Sequence, residues 1–145
     1  MVPAALLTAF VSTGISACLQ TPGQRRATLR ERANEILPPG ARIRAFGYGD
    51  CVELAESPSC ARVVFELPEH DSGRRASEVR DEAQSHGWAI TQSGNTAGGW
   101  NLFLKRDGYT AFVVLWRPEA YGQVDCRRPT PRDDVCFNTL NLTRG

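Results

Sequence analysis

The chain has 145 residues, of which 41% are hydrophobic and 23% charged, with a formal net charge of +1. These figures describe one globular domain and exclude a disordered chain. The charge balance excludes an electrostatic case for nucleic acid as a partner, and no stretch reaches the ~20 apolar residues of a membrane-spanning helix.

Residues 4–17 carry no charge and lead directly to Cys18, after which Gln20, Gln24, Arg25 and Arg26 turn the chain polar. The run has the length of a signal-peptide core. Pro3, Gly14 and several Ser and Thr make it a poor interior helix, although a buried N-terminal helix holding a free cysteine is the rival reading. No Lys or Arg precedes Arg25, so a basic leader is expected upstream of Met1.

Ile15-Ser16-Ala17-Cys18 resembles the lipobox of bacterial lipoproteins: an aliphatic residue, two small residues and the cysteine that is lipidated. The resemblance implies a signal peptide over 1–17, a palmitate-type anchor on Cys18, a tether over 18–21 and a single domain over 22–145. It places that domain on the extracytoplasmic face of the cell membrane. Two or three acyl chains hold firmly, at ~0.8 kcal/mol per buried CH₂, where one does not. The resemblance implies nothing about the fold or ligand of the remainder.

Thr21-Pro22-Gly23-Gln24 predicts a helix start, with Thr at the cap, Pro in the first turn and Gln at the capping-box position. Leu29, Ala33, Ile36 and Leu37 form its apolar stripe, and Pro38-Pro39-Gly40 stops it. Residues 41–54 and 60–67 predict a hairpin turning at Glu56-Ser57-Pro58-Ser59. Gly47 and Gly49 are expected to mark a bulge in its first strand. Asp71 or Ser72 caps a second helix over about 73–86, with Ala76, Val79 and Ala83 inward and Gly87 past its end.

Residues 88–92 predict a short strand, and the glycine-rich stretch 93–99 an exposed loop. Asp107-Gly108 between alternating apolar runs predicts a type I′ hairpin. A two-residue turn pairs Arg106 with Tyr109, Leu104 with Ala111, Leu102 with Val113 and Trp100 with Leu115. Those pairs face the core. Phe103, Phe112, Val114 and Trp116 occupy the other face, which is apolar too and calls for a cover: a helix, the C-terminal segment or a partner. Residues 119–134 read as a loop and 135–142 as a last strand. The fold expected is α+β, two layers, a mainly antiparallel sheet with two helices, its strand order open.

Cys51, Cys60, Cys126 and Cys136 permit three pairings, of which the local Cys51–Cys60 and Cys126–Cys136 are expected. Their spacing lacks the short clips of a zinc site and the C-x-x-C of a redox pair, so neither a metal nor a cofactor is expected. Disulfides fit an exported protein. Sixteen Arg against the single Lys105 suggests the codon bias of a high-GC, actinobacterial source.

No nucleophile elbow, zinc helix, phosphate loop or dinucleotide fingerprint occurs. Glu66, Glu69, His70 and Asp71 cluster after a strand; they read first as a solvated loop and helix cap, and otherwise as acid–base or metal chemistry. Asp133 and Asp134 beside Arg127, Arg128 and Arg132 read as surface ion pairs. The expected function is therefore a non-catalytic, membrane-anchored envelope lipoprotein that binds an unknown envelope protein or ligand through Phe103, Phe112, Val114 and Trp116. An envelope hydrolase using Glu69, His70 and Asp71 is one alternative. An inhibitor or immunity-type protein using the loop between Cys126 and Cys136 is another.

Overall fold

The computed structural model describes residues 20–49, 60–131 and 133–144. Helix α1 spans Pro22–Asn34 and begins with the expected capping box. The Gln24 N–H donates to Thr21 Oγ1 at 3.2 Å, and the Thr21 N–H donates to Gln24 Oε1 at 2.8 Å. The helix ends three residues before the expected Leu37. Ile36 and Leu37 lie in the turn after it, where their N–H groups both reach the Ala33 carbonyl, and their side chains still enter the core.

Strands β1 (Arg42–Tyr48) and β2 (Cys60–Glu66) form the first hairpin, and α2 spans Ser72–Ser85. Asp71 caps α2, its Oδ1 accepting from the Arg74 N–H at 2.9 Å. Gly87 and Trp88 close the helix, donating to the Gln84 and Ala83 carbonyls. This double hydrogen bond is the Schellman motif. Then follow β3 (Ala89–Thr96), β4 (Gly99–Arg106), β5 (Tyr109–Trp116), a 3-10 turn over Pro118–Tyr121, the short helix α3 (Asp133–Cys136) and β6 (Asn138–Arg144).

All six strands form one antiparallel sheet in the order β1-β2-β6-β5-β4-β3. The α+β class with two helices over an antiparallel sheet is as expected. The last strand inserts between β2 and β5, so the two halves of the sheet are joined by the C-terminal segment. Every expected pair of the β4–β5 hairpin is present, from Arg106 with Tyr109 to Trp100 with Leu115. Its turn has positive φ at Asp107 (48°) and Gly108 (78°), as type I′ requires.

Three expectations fail. The stretch 93–99 is not a loop: Ser93–Thr96 continue β3, Gly99 opens β4, and Ala97-Gly98 make a tight turn. β3 is an edge strand mostly exposed on both sides, so it needs no apolar alternation. The irregularity in β1 falls at Arg44, between Ile43 and Ala45, and not at Gly47 or Gly49. β3 has a similar shift between Ile90 and Gln92. Both edges are thus broken by bulges, a device that discourages edge-to-edge pairing. The final strand starts at Asn138, because residues 133–136 coil into α3 before it. The expected turn at 56–59 lies outside the described residues.

Both helices cover one face of the sheet. Leu29, Ala33 and Ile36 of α1 and Ala76, Val79 and Ala83 of α2 form one core with Val63, Phe65, Leu102, Leu104, Ala111, Val113, Leu115, Leu140 and Leu142. Over β1 the α1 contacts are cationic: Arg30 stacks over Phe46 at 4.4 Å and Arg26 over Tyr48 at 5.4 Å.

Candidate functional site

The alternation of β4 and β5 that buries Leu102 and Val113 sends Phe103 and Phe112 to the face opposite α1 and α2. Their rings stack with centroids 4.4 Å apart and planes 27° apart. The same row continues across the sheet through Asn141 and Arg62. In the neighbouring row, Val114 lies between Asn101 and Thr139, with Val64 next. Val114 and Val64 are nearly buried at 7% and 8% exposure, yet neither belongs to the core beneath the helices. At the end of β5, Trp116 meets the edge of Tyr121, centroids 5.6 Å apart. Tyr121 is 41% exposed, one of two large apolar side chains so exposed among the described residues. The buried Trp116 Nε1–H has no acceptor among the described residues.

The four residues expected on this face are therefore together on it, opposite α1 and α2, with Val114 buried. Tyr121 joins them unforeseen. It sits in a segment read as featureless loop, and only Pro118 at the start of the 3-10 turn signals local order.

A second feature lies where β2 and β5 end and β6 begins. A cleft of about 600 Å³ opens there, bordered by Leu67, Pro68, Glu69, Arg75, Pro118 and Asn138, with Cys126 and Cys136 at its side. Those two cysteines are bonded, their Cα atoms 5.3 Å apart, and pin the 3-10 turn and its following loop to the start of β6. Arg127–Thr130 inside the disulfide loop are exposed. Cys60 is also disulfide-bonded; Cys51, its expected partner, lies outside the described residues, as does Cys18.

Glu69 and His70 border the cleft, but the expected trio with Asp71 does not converge on it. Glu69 Oε1 accepts the Asp71 N–H at 2.9 Å, and the Asp71 carboxylate is spent on capping α2. His70 is exposed. Glu66 pairs instead with Arg44 at 3.0 Å. Among the described residues no three His, Cys, Asp or Glu are grouped to hold a metal. Arg128 pairs with Asp125 at 3.8 Å, while the side chains of Asp133 and Asp134, and Arg132, lie outside the described residues.

Arg75 is the residue that sequence reading passed over. Its Nη2 donates to the Trp116 carbonyl at 3.0 Å and its Nη1 to Asn138 Oδ1 at 3.4 Å. Burial lowers its pKa, and the nearest carboxylates, Glu119, Asp71 and Glu69, offset that only in part. A signal for it existed. Arg75, Val79 and Ala83 fall at i, i+4 and i+8, so an arginine stands on the buried stripe of α2.

No family model matches the chain, and no curated protein or solved structure is found similar to it. No helix among the described residues is long and apolar enough to cross a membrane.

Proposed function

We propose that this chain is an exported lipoprotein of the cell envelope, anchored through lipid on Cys18, and that it is a non-catalytic module binding another envelope protein through the sheet face opposite α1 and α2. The observation that carries the binding reading is the aromatic group of Phe103, Phe112, Trp116 and Tyr121 on one side of a sheet whose other side holds both helices. Large aromatic side chains are favoured anchors in protein contacts, because they bury much area at little entropic cost. Arg62 and Lys105 border the group and supply the polar rim such an interface needs.

Export is supported by the lipobox-like Ile15-Ser16-Ala17-Cys18 and by the Cys126–Cys136 bond. Structural disulfides persist in oxidising compartments and are rare in the cytosol. Pairing of Cys51 with Cys60 would leave Cys18 as the odd cysteine, which a lipid accounts for.

Two measurements test this reading. Radioactive palmitate should label the wild-type chain in cells and not the Cys18→Ala variant; equal label in both would end the anchor claim. A photoreactive phenylalanine analogue placed at Phe103 or Tyr121 in intact cells should give a discrete protein adduct, and the same analogue at exposed Glu78 of α2 should not. Adducts of equal yield from both faces would remove the assignment of this surface.

A further inference from the structure

The cleft at the ends of β2, β5 and β6 adjoins the aromatic face at Trp116, whose carbonyl ties Arg75, but its argument depends neither on that face nor on lipidation. Arg75 reaches it from the second turn of α2. Among the described residues no carboxylate lies within ion-pair distance of Arg75, although every other charge bordering the site is engaged more closely by an opposite one or faces open solvent. Glu66 pairs with Arg44 at 3.0 Å, Glu69 approaches Arg74 at 3.9 Å and Glu119 approaches Arg117 at 4.0 Å. Arg75 is held only by two neutral oxygens, the Trp116 carbonyl and Asn138 Oδ1.

A guanidinium has five N–H donors in a planar fork. Nη1 and Nη2 each spend one on those oxygens, and Nε is enclosed with no acceptor among the described residues. One N–H on each terminal nitrogen is left. Each can be offered to a carboxylate oxygen. A half-buried charge tied only to neutral acceptors is costly, whereas a neutral side chain could serve a purely structural tie. A ligand carboxylate would add to the neutralisation that Glu119, Asp71 and Glu69 supply only in part.

The surroundings narrow the ligand. Leu67, Pro68 and Pro118 offer an apolar wall for a carbon stem, which a carboxylic acid carries and inorganic phosphate lacks. We propose that this cleft binds a singly charged carboxylate, received end-on by Arg75 with its stem against Leu67 and Pro118. A free small acid and the C-terminus of a short peptide share this chemistry, and the volume of about 600 Å³ admits either.

The test is an NMR titration of the ¹⁵N-labelled full chain with four probes: N-acetylglycine, its amide, N-acetyl-triglycine and inorganic phosphate. The expected result is saturable shifts of the Arg75 Nε–H and of the backbone at Leu67–His70 with N-acetylglycine, with a Kd on the order of 10 mM for so small a probe. The amide and phosphate should bind about tenfold more weakly or not at all. N-acetyl-triglycine binding tighter than N-acetylglycine assigns the peptide terminus; equal binding assigns the small acid. Arg75→Gln should lower affinity for N-acetylglycine about tenfold, and Arg75→Lys, which keeps the charge without the fork, should also weaken it. Equal shifts with acid and amide on the wild-type chain overturn the proposal whether or not either variant folds. So does the absence of saturable shifts with both carboxylate probes, or phosphate binding more tightly than they do.

Discussion

Glu35 ties three parts of the domain together, and its removal gives the sharpest stability prediction. It is the C-cap residue of α1, with its side chain only 14% exposed. Its Oε1 accepts from Arg32 Nη1 at 2.8 Å, within the same helix. Its Oε2 accepts from Trp88 Nε1 at 3.0 Å, just beyond α2. The same oxygen lies 2.9 Å from Arg106 Nη1 at the β4–β5 turn. That last contact is an ion pair whose N–H does not point at the oxygen, so Arg106 gains charge attraction without a directed bond. Burial works against the Arg32 charge, but its hydrogen bond to Glu35 and the charges of Glu35, Asp107 and Glu31 outweigh that and raise its pKa.

In Glu35→Ala the Trp88 indole N–H loses its acceptor while the ring stays buried, at 2% exposure, which costs about 1–3 kcal/mol. The two arginines, 21% and 25% exposed, can turn toward water, and Arg106 keeps Asp107 at 3.2 Å, so each adds only about 0.5–1 kcal/mol. Removing a carboxylate from a helix C-terminus returns about 0.3–0.5 kcal/mol. The expected loss is about 1.5–4.5 kcal/mol, read by urea unfolding, with a Tm lower by roughly 5–15 °C. Glu35→Gln keeps one acceptor and should lose about half as much. A Glu35→Ala chain within about 0.5 kcal/mol of wild type would refute the reasoning, because it would mean that the indole N–H and both guanidiniums are as well served by water.

Three further outcomes are expected. Replacing Cys126 and Cys136 together by Ser frees a loop spanning a sequence separation of 10, which costs ~2–3 kcal/mol in urea melts under oxidising conditions. Gly99 has φ +145°, and a Cβ there would run into the Leu115 carbonyl, so Gly99→Ala should cost at least ~3 kcal/mol; wild-type stability would contradict the close approach of β4 and β5 at that point. A double-mutant cycle on Phe103→Leu and Phe112→Leu should return a coupling of about 0.5–1.5 kcal/mol for the stacked pair, and a coupling near zero would show that the rings do not meet.

How far the fold was legible follows from the range of the interactions involved. The β4–β5 hairpin was read correctly pair by pair because Asp107-Gly108 admits one turn type, and that turn sets every later partner. The α1 start and the α2 end were equally local, each specified by side chains within six residues. β3 escaped because an exposed edge strand can be polar and glycine-bearing on both faces, which is the pattern of a loop. The place of β6 between β2 and β5 depends on pairings such as Val63 with Leu140 and Val113 with Leu140, which no local rule contains. The aromatic face was legible as four residues, since period-2 alternation separates the sides of a strand. The cleft was not, because it is assembled from the ends of three strands, the second turn of α2 and a disulfide-held loop.

The two ends of β1 now order the molecule along one axis. Tyr48, at the strand's end, donates its hydroxyl to the Arg26 carbonyl at 3.3 Å, so the first turns of α1 lie beside it. Arg42, at the strand's start, borders the cleft. Seven residues separate these sites inclusively, and at ~3.3 Å per residue the strand spans roughly 20 Å. Pro22 follows Cys18 by four positions, which a fully extended chain covers in at most ~14 Å. If Cys18 carries the lipid, the N-terminus of α1 is held within that reach of the membrane surface, and the cleft opens at the far end of the β1–β2 hairpin. The aromatic face runs alongside this axis and reaches the cleft end at Trp116 and Tyr121. A carboxylate ligand would therefore arrive from the compartment beyond the membrane, and a protein partner would meet the domain from the side. The two sites share Trp116, whose ring belongs to the face and whose carbonyl ties Arg75, so occupancy of each is best measured with the other both empty and filled.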